Sequence, residues 1–476
     1  MKRPPMTPRR REVAGLALAA TLGCAWAGPA RADLLRQLLL NDTTPSWLPL
    51  IGGRAPSKYE DYAAGHYWYN GRAYGSYTAF AAAVGASFSR ASAATYTSPA
   101  AAFASVGSNV LRFDCPTGVA QGLLLEGASV NSLRNNTMQG VAAGSPGTLP
   151  TDWVASSTFA GLSRQIVGSG TESGINYVDI RYFGTTSGSA SGATLIGFDG
   201  TALVAAVSGQ TWTGSAFITL VGGSLANVSL LSAVLELDNS GSFLAKTQTS
   251  ITPAAGSLPA ARTAVARILS NASTAFVMSQ ILATMSSGVA VDFTLRIGWP
   301  QLEQNPFASS PILTTGAAVT RAADALNNPW TIGSAFTKVV KVVTPPGFAA
   351  SNMTAWELDD GSSSNRFILI YNGSTGHLNL VVASGGATQA TIDLGAASAN
   401  TPYTIAFAAQ ANSFRASVNG GAVISASSGS MPVGVTTERL GNNPGGGADW
   451  DGHFGKAIFF PTFANDNAIA NLAANQ

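Results

Sequence analysis

Residues 291–303 read V-D-F-T-L-R-I-G-W-P-Q-L-E. Val291, Phe293, Leu295 and Ile297 alternate with Asp292, Thr294 and Arg296. A period of two sends the apolar set to one face and the polar set to the other, as a half-buried strand requires. Pro300 has no amide hydrogen, so it is expected at a strand end or on an edge. A turn-rich passage follows, then S-P-I-L-T-T-G-A-A-V-T-R-A-A-D, ending at Asp324. The stretch is read as the last strand of one β domain and the connector to a second.

The rest of the chain agrees. At 476 residues it exceeds one ordinary core, so two or three domains are expected. Charged residues make up only 11%, and glycine is abundant at 52 residues, which suits turn-rich β domains. Residues 174–183, 211–221, 228–238 and 263–269 are strand candidates, among about nine between 131 and 322 with sandwich-like turn spacing. After Pro329 come further strand runs, including A-F-T-K-V-V-K-V-V and R-F-I-L-I-Y, joined by Asn-Gly and Gly-Gly hairpins. Nearer the N-terminus, Asn70-Gly71 sits between aromatic flanks holding Tyr67, Trp68, Tyr69 and Tyr74. That is a hairpin signal, because both turn residues need positive φ. Its rings suit either a sugar-stacking or docking patch or plain packing against neighbours.

Residues 1–32 read as a targeting segment. Lys2, Arg3, Arg9, Arg10 and Arg11 precede an apolar run too short to span a bilayer, and Ala30-Arg31-Ala32 fits a cleavage site. This predicts export to an extracellular location. Residues 1–32 hold six of the 26 basic residues and one of the 24 acidic ones, leaving 20 and 23, a net charge of −3. No basic stripe remains, so nucleic acid is not an expected partner. Cys115 is the one cysteine after residue 32, so no internal disulfide is expected there.

Two passages carry a family resemblance. S-F-S-R-A-S-A-A-T-Y-T at 87–97 and R-F-D-C-P-T-G-V-A-Q-G-L-L-L-E at 112–126 resemble a segment of phage and prophage head-spike or tail-fibre proteins. The matching positions include Phe88, Arg90, Arg112, Phe113, Asp114, Gly122, Glu126 and Asn131, and the passage ending at Asp324 resembles the same proteins. Residues 325–476 resemble a concanavalin A-like, laminin-G-type lectin domain. The resemblance rests on F-R-A-S-V-N-G at 414–420, Leu440-Gly441-Asn442, Trp450 and Phe459 to Pro461. The expected plan is all-β. A small docking and oligomerisation region occupies 33–130, a carbohydrate-binding-module-like jelly roll 131–322, and the lectin-like sandwich 325–476. The resemblance implies a non-enzymatic adhesin that recognises surface polysaccharide or another glycan. It also implies a homo-oligomer, a trimer being the expected form, with other virion proteins as partners. The signal-like N-terminus favours an exported cell-surface protein instead.

The residues themselves suggest little chemistry. Glu236 and Asp238 share a strand face and are the best candidate for a carboxylate pair if the chain were a glycoside hydrolase, but Asn239-Ser240-Gly241 reads as a turn ending the strand. The three histidines, His66, His377 and His453, show no metal-ligand spacing. No G-x-S-x-G elbow and no phosphate-binding glycine loop occurs. A glycan site is expected on two loops of the last domain. One brings Trp450 together with Asn442, Asn443, Asp449, Asp451 and His453; the other offers Trp356, Asp359, Asp360, Asn365 and Arg366. The bland alternative makes Trp450 a plug at the end of the sandwich. A calcium ion, at Asp359 and Asp360 or at Asp449 and Asp451, is a further expectation.

Overall fold

The computed structural model describes residues 44–155, 159, 161–200, 202–253 and 256–476. The signal-like segment 1–32 lies outside them. The protein is all-β. Among the described residues the helices are Tyr77–Val84, the single 3-10 turn Leu258–Ala260, and Asp466–Ala474. Asn465 caps the last helix by accepting from the Ala468 amide at 3.0 Å.

The middle sandwich has two five-stranded sheets. One runs Leu162–Glu172, Ile175–Thr185, Ala290–Glu303, Thr211–Ser224, Arg262–Ile268. The other runs Ala190–Phe198, Phe276–Met285, Ser229–Leu237, Phe243–Ile251, with Val204–Ala205 beside Phe276–Met285. Val291, Phe293, Leu295 and Ile297 all point into the core between them, packed with Val178, Ile180, Val234 and Ile281. The strand that holds them is central rather than marginal, and Pro300 lies inside it. A bulge accommodates the proline. Ser215 faces Gln301 and Phe217 faces Gly298, so Trp299 and Pro300 together oppose Ala216. On the other side, pairing with Ile175–Thr185 stops at Gly298, so nothing there asks Pro300 for an amide.

The second sandwich is built from both ends of the chain. Its larger sheet follows the order Ile424–Ala426, Ser413–Val418, Pro402–Gln410, Ala335–Val343, Gly452–Phe460, Lys58–Asp61, His66–Tyr69, Arg72–Tyr74. Gly122–Leu125 continues the same edge of Gly452–Phe460 beyond Lys58–Asp61. The facing sheet runs Ala387–Ala396, His377–Ser384, Arg366–Asn372, Met353–Asp359, Thr437–Leu440, Ala325–Pro329, Ser87–Ser89. The docking region expected over 33–130 is, in its described part, joined to this sandwich rather than separate from the domain at 325–476. Several of its strands extend the two sheets of the sandwich, while Ala94–Thr97 and Phe103–Val106 pair with each other apart from them, because short strands without a core of their own must borrow a sheet edge or a partner. The Asn70-Gly71 turn forms as read, with φ of 46° and 84°. The flanking Tyr67 and Trp68 are buried packing residues. The short ribbon of Ser129–Asn131 with Val319–Arg321 joins the two sandwiches.

Candidate functional site

Most of the residues expected to bind glycan have other duties. Trp450 is fully buried, its indole nitrogen donating to the Val343 carbonyl at 3.1 Å. Trp356 is also fully buried and donates to Glu438 Oε1 at 2.9 Å. Neither ring is open to a sugar, which corrects the expected stacking platforms: Trp450 is the plug. Asn442 is buried and donates to the Leu440 carbonyl at 3.0 Å, while Asn443 is half-buried. The second loop bonds to itself. Asp360 accepts from Ser362 Oγ at 2.6 Å and from Asn365 Nδ2 at 2.9 Å, and Arg366 donates to Glu357 at 3.2 Å. The two loops do not meet. Trp356 pairs with Leu440 and Asp359 with Thr437, so they leave opposite ends of one strand pair.

The calcium expectation at Asp359 and Asp360 is corrected as well. Buried Asp359 accepts from Arg439 Nε at 2.7 Å through one oxygen and from the Gly361 amide at 2.7 Å through the other. Among the described residues no group of three or more His, Cys, Asp or Glu is placed to hold a metal. Glu236 and Asp238 form no catalytic pair either. Glu236 is buried against Arg267, the Ser270 and Asn271 amides and Thr274, and Asp238 caps its turn by accepting from Ser240 and Ser242.

Asp449, Asp451 and His453 do reach a site, at the joint between the sandwiches. A cleft of about 550 Å³ opens there. The middle sandwich contributes Trp212, Gln304 and Asn305; the second contributes Ser351, Asn352, Asp449, Asp451 and, packed in its core, Phe307; Gly127 to Val130 line it between them. Gly127 is required by close approach: a β-carbon there would stand 2.8 Å from Asp449 Oδ2. Its amide donates to Asp451 Oδ1 at 2.7 Å. Asp451 also lines an adjoining cleft of about 320 Å³ that holds Tyr96, Arg262 and His453. There His453 Nε2 lies 2.8 Å from Asp114 Oδ2.

Beneath both clefts lies a buried ion network. Arg90 donates to Asp324 at 3.0 Å, Arg112 binds both Asp324 and Glu126, and Arg321 lies 3.1 Å from Glu126. These are among the positions that carry the head-spike resemblance, together with two from the connector. That motif is thus the joint itself. Burial pushes the Glu126 carboxyl up, but Arg321, Arg112 and Ser310 outweigh it and hold Glu126 well below the usual range. Asp449 and Asp451 lie at its margin. Burial raises Asp449 to about 6, with repulsion from Asp324 adding to it against the pull of Arg321. Burial and then repulsion from Glu126 raise Asp451 to about 7, against Arg321 and the Gly127 amide.

This shift carries a stability prediction. Between the unfolded carboxyl value, about 3.9, and about 7, the folded chain holds a proton at Asp451 that the unfolded chain has lost. Stability from this group therefore falls as pH rises through that window, and the full penalty applies above it. Asp451→Asn keeps the acceptor for Gly127 and suits the left-handed φ of 56°. It should stabilise the fold by about 1–3 kcal/mol at pH 8, after discounting for partial exposure, and by almost nothing near pH 4. Urea titrations at the two pH values measure this; equal effects at both would refute the shift.

Gln304, Asn305 and Asn352 were not foreseen as site residues. Gln304 and Asn305 directly follow the strand quoted first, at the end where it meets the second sandwich. No family model matches the chain, and no curated protein matches it. Solved structures match parts of it. Domain 4 of AbnA, an arabinanase of Geobacillus stearothermophilus solved with arabinotriose, is 14% identical over 32% of this chain and 73% of its own, with a TM-score of 0.26. Trypanosoma rangeli sialidase is 11% identical over 66% and 68%, with a TM-score of 0.26. Domains LG4-5 of the mouse laminin α1 chain are 11% identical over 57% and 90%, with a TM-score of 0.20. Enzymes that process glycans stand among these matches, and the expectation of a chain without a reaction is corrected accordingly. At such TM-scores the likeness assigns this chain no reaction of its own.

Proposed function

We propose that the chain binds a glycan in the cleft between its two sandwiches. One observation carries this reading. The cleft joins the exposed apolar side chain of Val130, above the buried Trp212 and Phe307, to converging amides, hydroxyls and carboxylates: Gln304, Asn305, Asn352, Ser129, Ser351 and Asp449. A sugar needs this combination, an apolar surface for its C–H face and short polar groups for its hydroxyls. Gln304 and Asn352 are exposed, so their replacement should leave the fold within about 0.5 kcal/mol. The double variant Gln304→Ala/Asn352→Ala should lose binding at least about tenfold on a glycan array, with an unchanged melting temperature. Undiminished binding by a folded double variant would exclude the cleft.

The motif resemblance supports a finer reading, an adhesin for surface polysaccharide. It would be carried on a virion as a head-spike or fibre component, or exported to a cell surface, and assembled as a homo-oligomer, a trimer being the expected form. Fractionating particles from culture supernatant separates the two settings, and light scattering measures the assembly. A second reading, glycan cleavage, is favoured by Asp451. A cleft carboxyl raised to about 7 keeps a proton to donate near neutral pH, as a leaving sugar oxygen requires. A reducing-sugar assay on bound glycans tests it, with Asp451→Asn as the inactive control.

A further inference from the structure

A second cluster of reactive groups lies far from the cleft, between the two sheets of the second sandwich. Lys58 and Lys338 both stand opposite Phe459, one on either side of its strand, so both point toward the same core. From the facing sheet, Asn328 and Glu438 are direct cross-strand partners. All four side chains are 0–1% exposed. Lys58 Nζ and Asn328 Nδ2 rest on the same oxygen, Oε2 of Glu438, with Nδ2 at 3.1 Å. Lys338 Nζ takes the other oxygen, which also accepts from Trp356 at 2.9 Å. Glu60 stands 3.1 Å from Lys58 Nζ. The Trp330 and Trp356 rings close the site, 4.8 Å from Lys58 Nζ and 5.5 Å from Lys338 Nζ.

Two features suggest more than an ion pair. Buried charges of this kind contribute little net stability over apolar residues of the same volume, so stability alone gives a weak reason for four of them. The Asn328 Oδ1 atom has no hydrogen-bond partner although it is buried, which costs free energy for no structural gain. What the site does hold is an ammonium group and a carboxamide, gathered on one carboxylate oxygen of Glu438 and kept from water. Groups held this way react far faster than in dilute solution.

We propose that Lys58 and Asn328 become joined by an isopeptide bond, with Glu438 as the proton carrier. Burial works against the charge on Lys58, but Glu438 and Glu60 outweigh it, so the lysine reaches the site charged. It passes one proton to Glu438, and the freed amine attacks Cγ of Asn328. Glu438 then returns a proton to Nδ2. The Cγ–Nδ2 bond breaks, the departing ammonia takes the second Nζ proton and leaves as ammonium, and an uncharged Nζ–Cγ amide remains. No oxidant or cofactor enters. The bond would tie the strand Lys58–Asp61 of one sheet to Ala325–Pro329 of the other. It would act as a covalent staple in a chain whose described cysteine, Cys115, is free.

Peptide mapping of the full-length folded protein by mass spectrometry tests this directly. The expected result is one linked peptide pair, Lys58 with Asn328, lighter than its two parts by one ammonia. Asn328→Asp should give the same linked product by loss of water, and Asn328→Ala or Lys58→Met should give none. Glu438→Gln should leave the parts mostly unlinked. Separate, unmodified Lys58 and Asn328 peptides from the wild-type protein would overturn the proposal whether or not any variant folds. A link made by Lys338 would overturn the assignment to Lys58.

Discussion

Glu438→Ala is expected to destabilise the second sandwich by about 3–5 kcal/mol, because it strands two buried ammonium groups. The wild-type balance explains the size. Burial pushes the Glu438 carboxyl up, yet Lys338 and Lys58 more than reverse this and hold it well below the usual range. Burial also lowers Lys338, and Glu438 is the main force raising it again. Without Glu438, Lys338 must give up its proton or stay charged without a carboxylate on it, and Lys58 keeps only Glu60. The Trp356 indole and the Asn328 amide lose an acceptor as well. A urea titration at pH 7 reads the loss, and a change under about 1 kcal/mol would refute the account. Asn328→Ala separates this effect from the proposed covalent link, since it removes the link and leaves Lys58 an ammonium group on Glu438. Replacing Lys58, Lys338, Glu60 and Glu438 together by apolar residues of similar volume should cost far less than the single change.

Asp324→Ala should cost a similar amount, about 3–5 kcal/mol, and should act at the joint. One of its oxygens holds Arg90; the other holds Arg112 and the Glu126 amide. Arg112 would keep Glu126, but Arg90 would be left with backbone carbonyls alone. Asp324→Asn should cost less, because its amide oxygen still accepts one of these bonds. The effect should also reach the cleft. Asp324 helps to raise Asp449, so the Asp449 carboxyl should titrate lower in the variant, measured by NMR of the labelled side chain. An unmoved Asp449 titration would break the proposed coupling between joint and cleft.

Much of the candidate site was hidden from a linear reading. Asp449, Asp451 and His453 stood out because polar side chains in a glycine-rich loop usually face outward. Trp450 and Trp356 misled for a related reason: a tryptophan suits a sugar platform and a sandwich core equally, and only its neighbours decide which. Gln304, Asn305 and Asn352 carry no local signature, since their value lies in convergence from separate segments. The motif of Arg90, Arg112 and Glu126 was visible as a resemblance, yet its role as a buried joint needed Asp324 and Arg321, about two hundred residues further on.

What the sequence determined by itself is whatever depends on a few consecutive residues. The alternation from Val291 to Ile297 made a half-buried strand wherever the chain placed it. Asn70-Gly71 formed its turn through backbone sterics, and Asn465 capped the last helix through a bond to an amide three residues on. The tertiary structure decided pairing. Strands of like period can pair at any free edge, so nothing in Lys58–Asp61 or Gly122–Leu125 announces a partner more than three hundred residues later. Pro300 read as a strand end, and only the bulge opposite Ala216 let a central strand keep it. The charge of Lys58 acquired its meaning the same way, when sheet packing brought it against Glu438 and Asn328 out of reach of water. Period and turn chemistry are local energies. Edge choice, burial and ion pairing are set by which surfaces exclude water together, and that is a property of the whole fold.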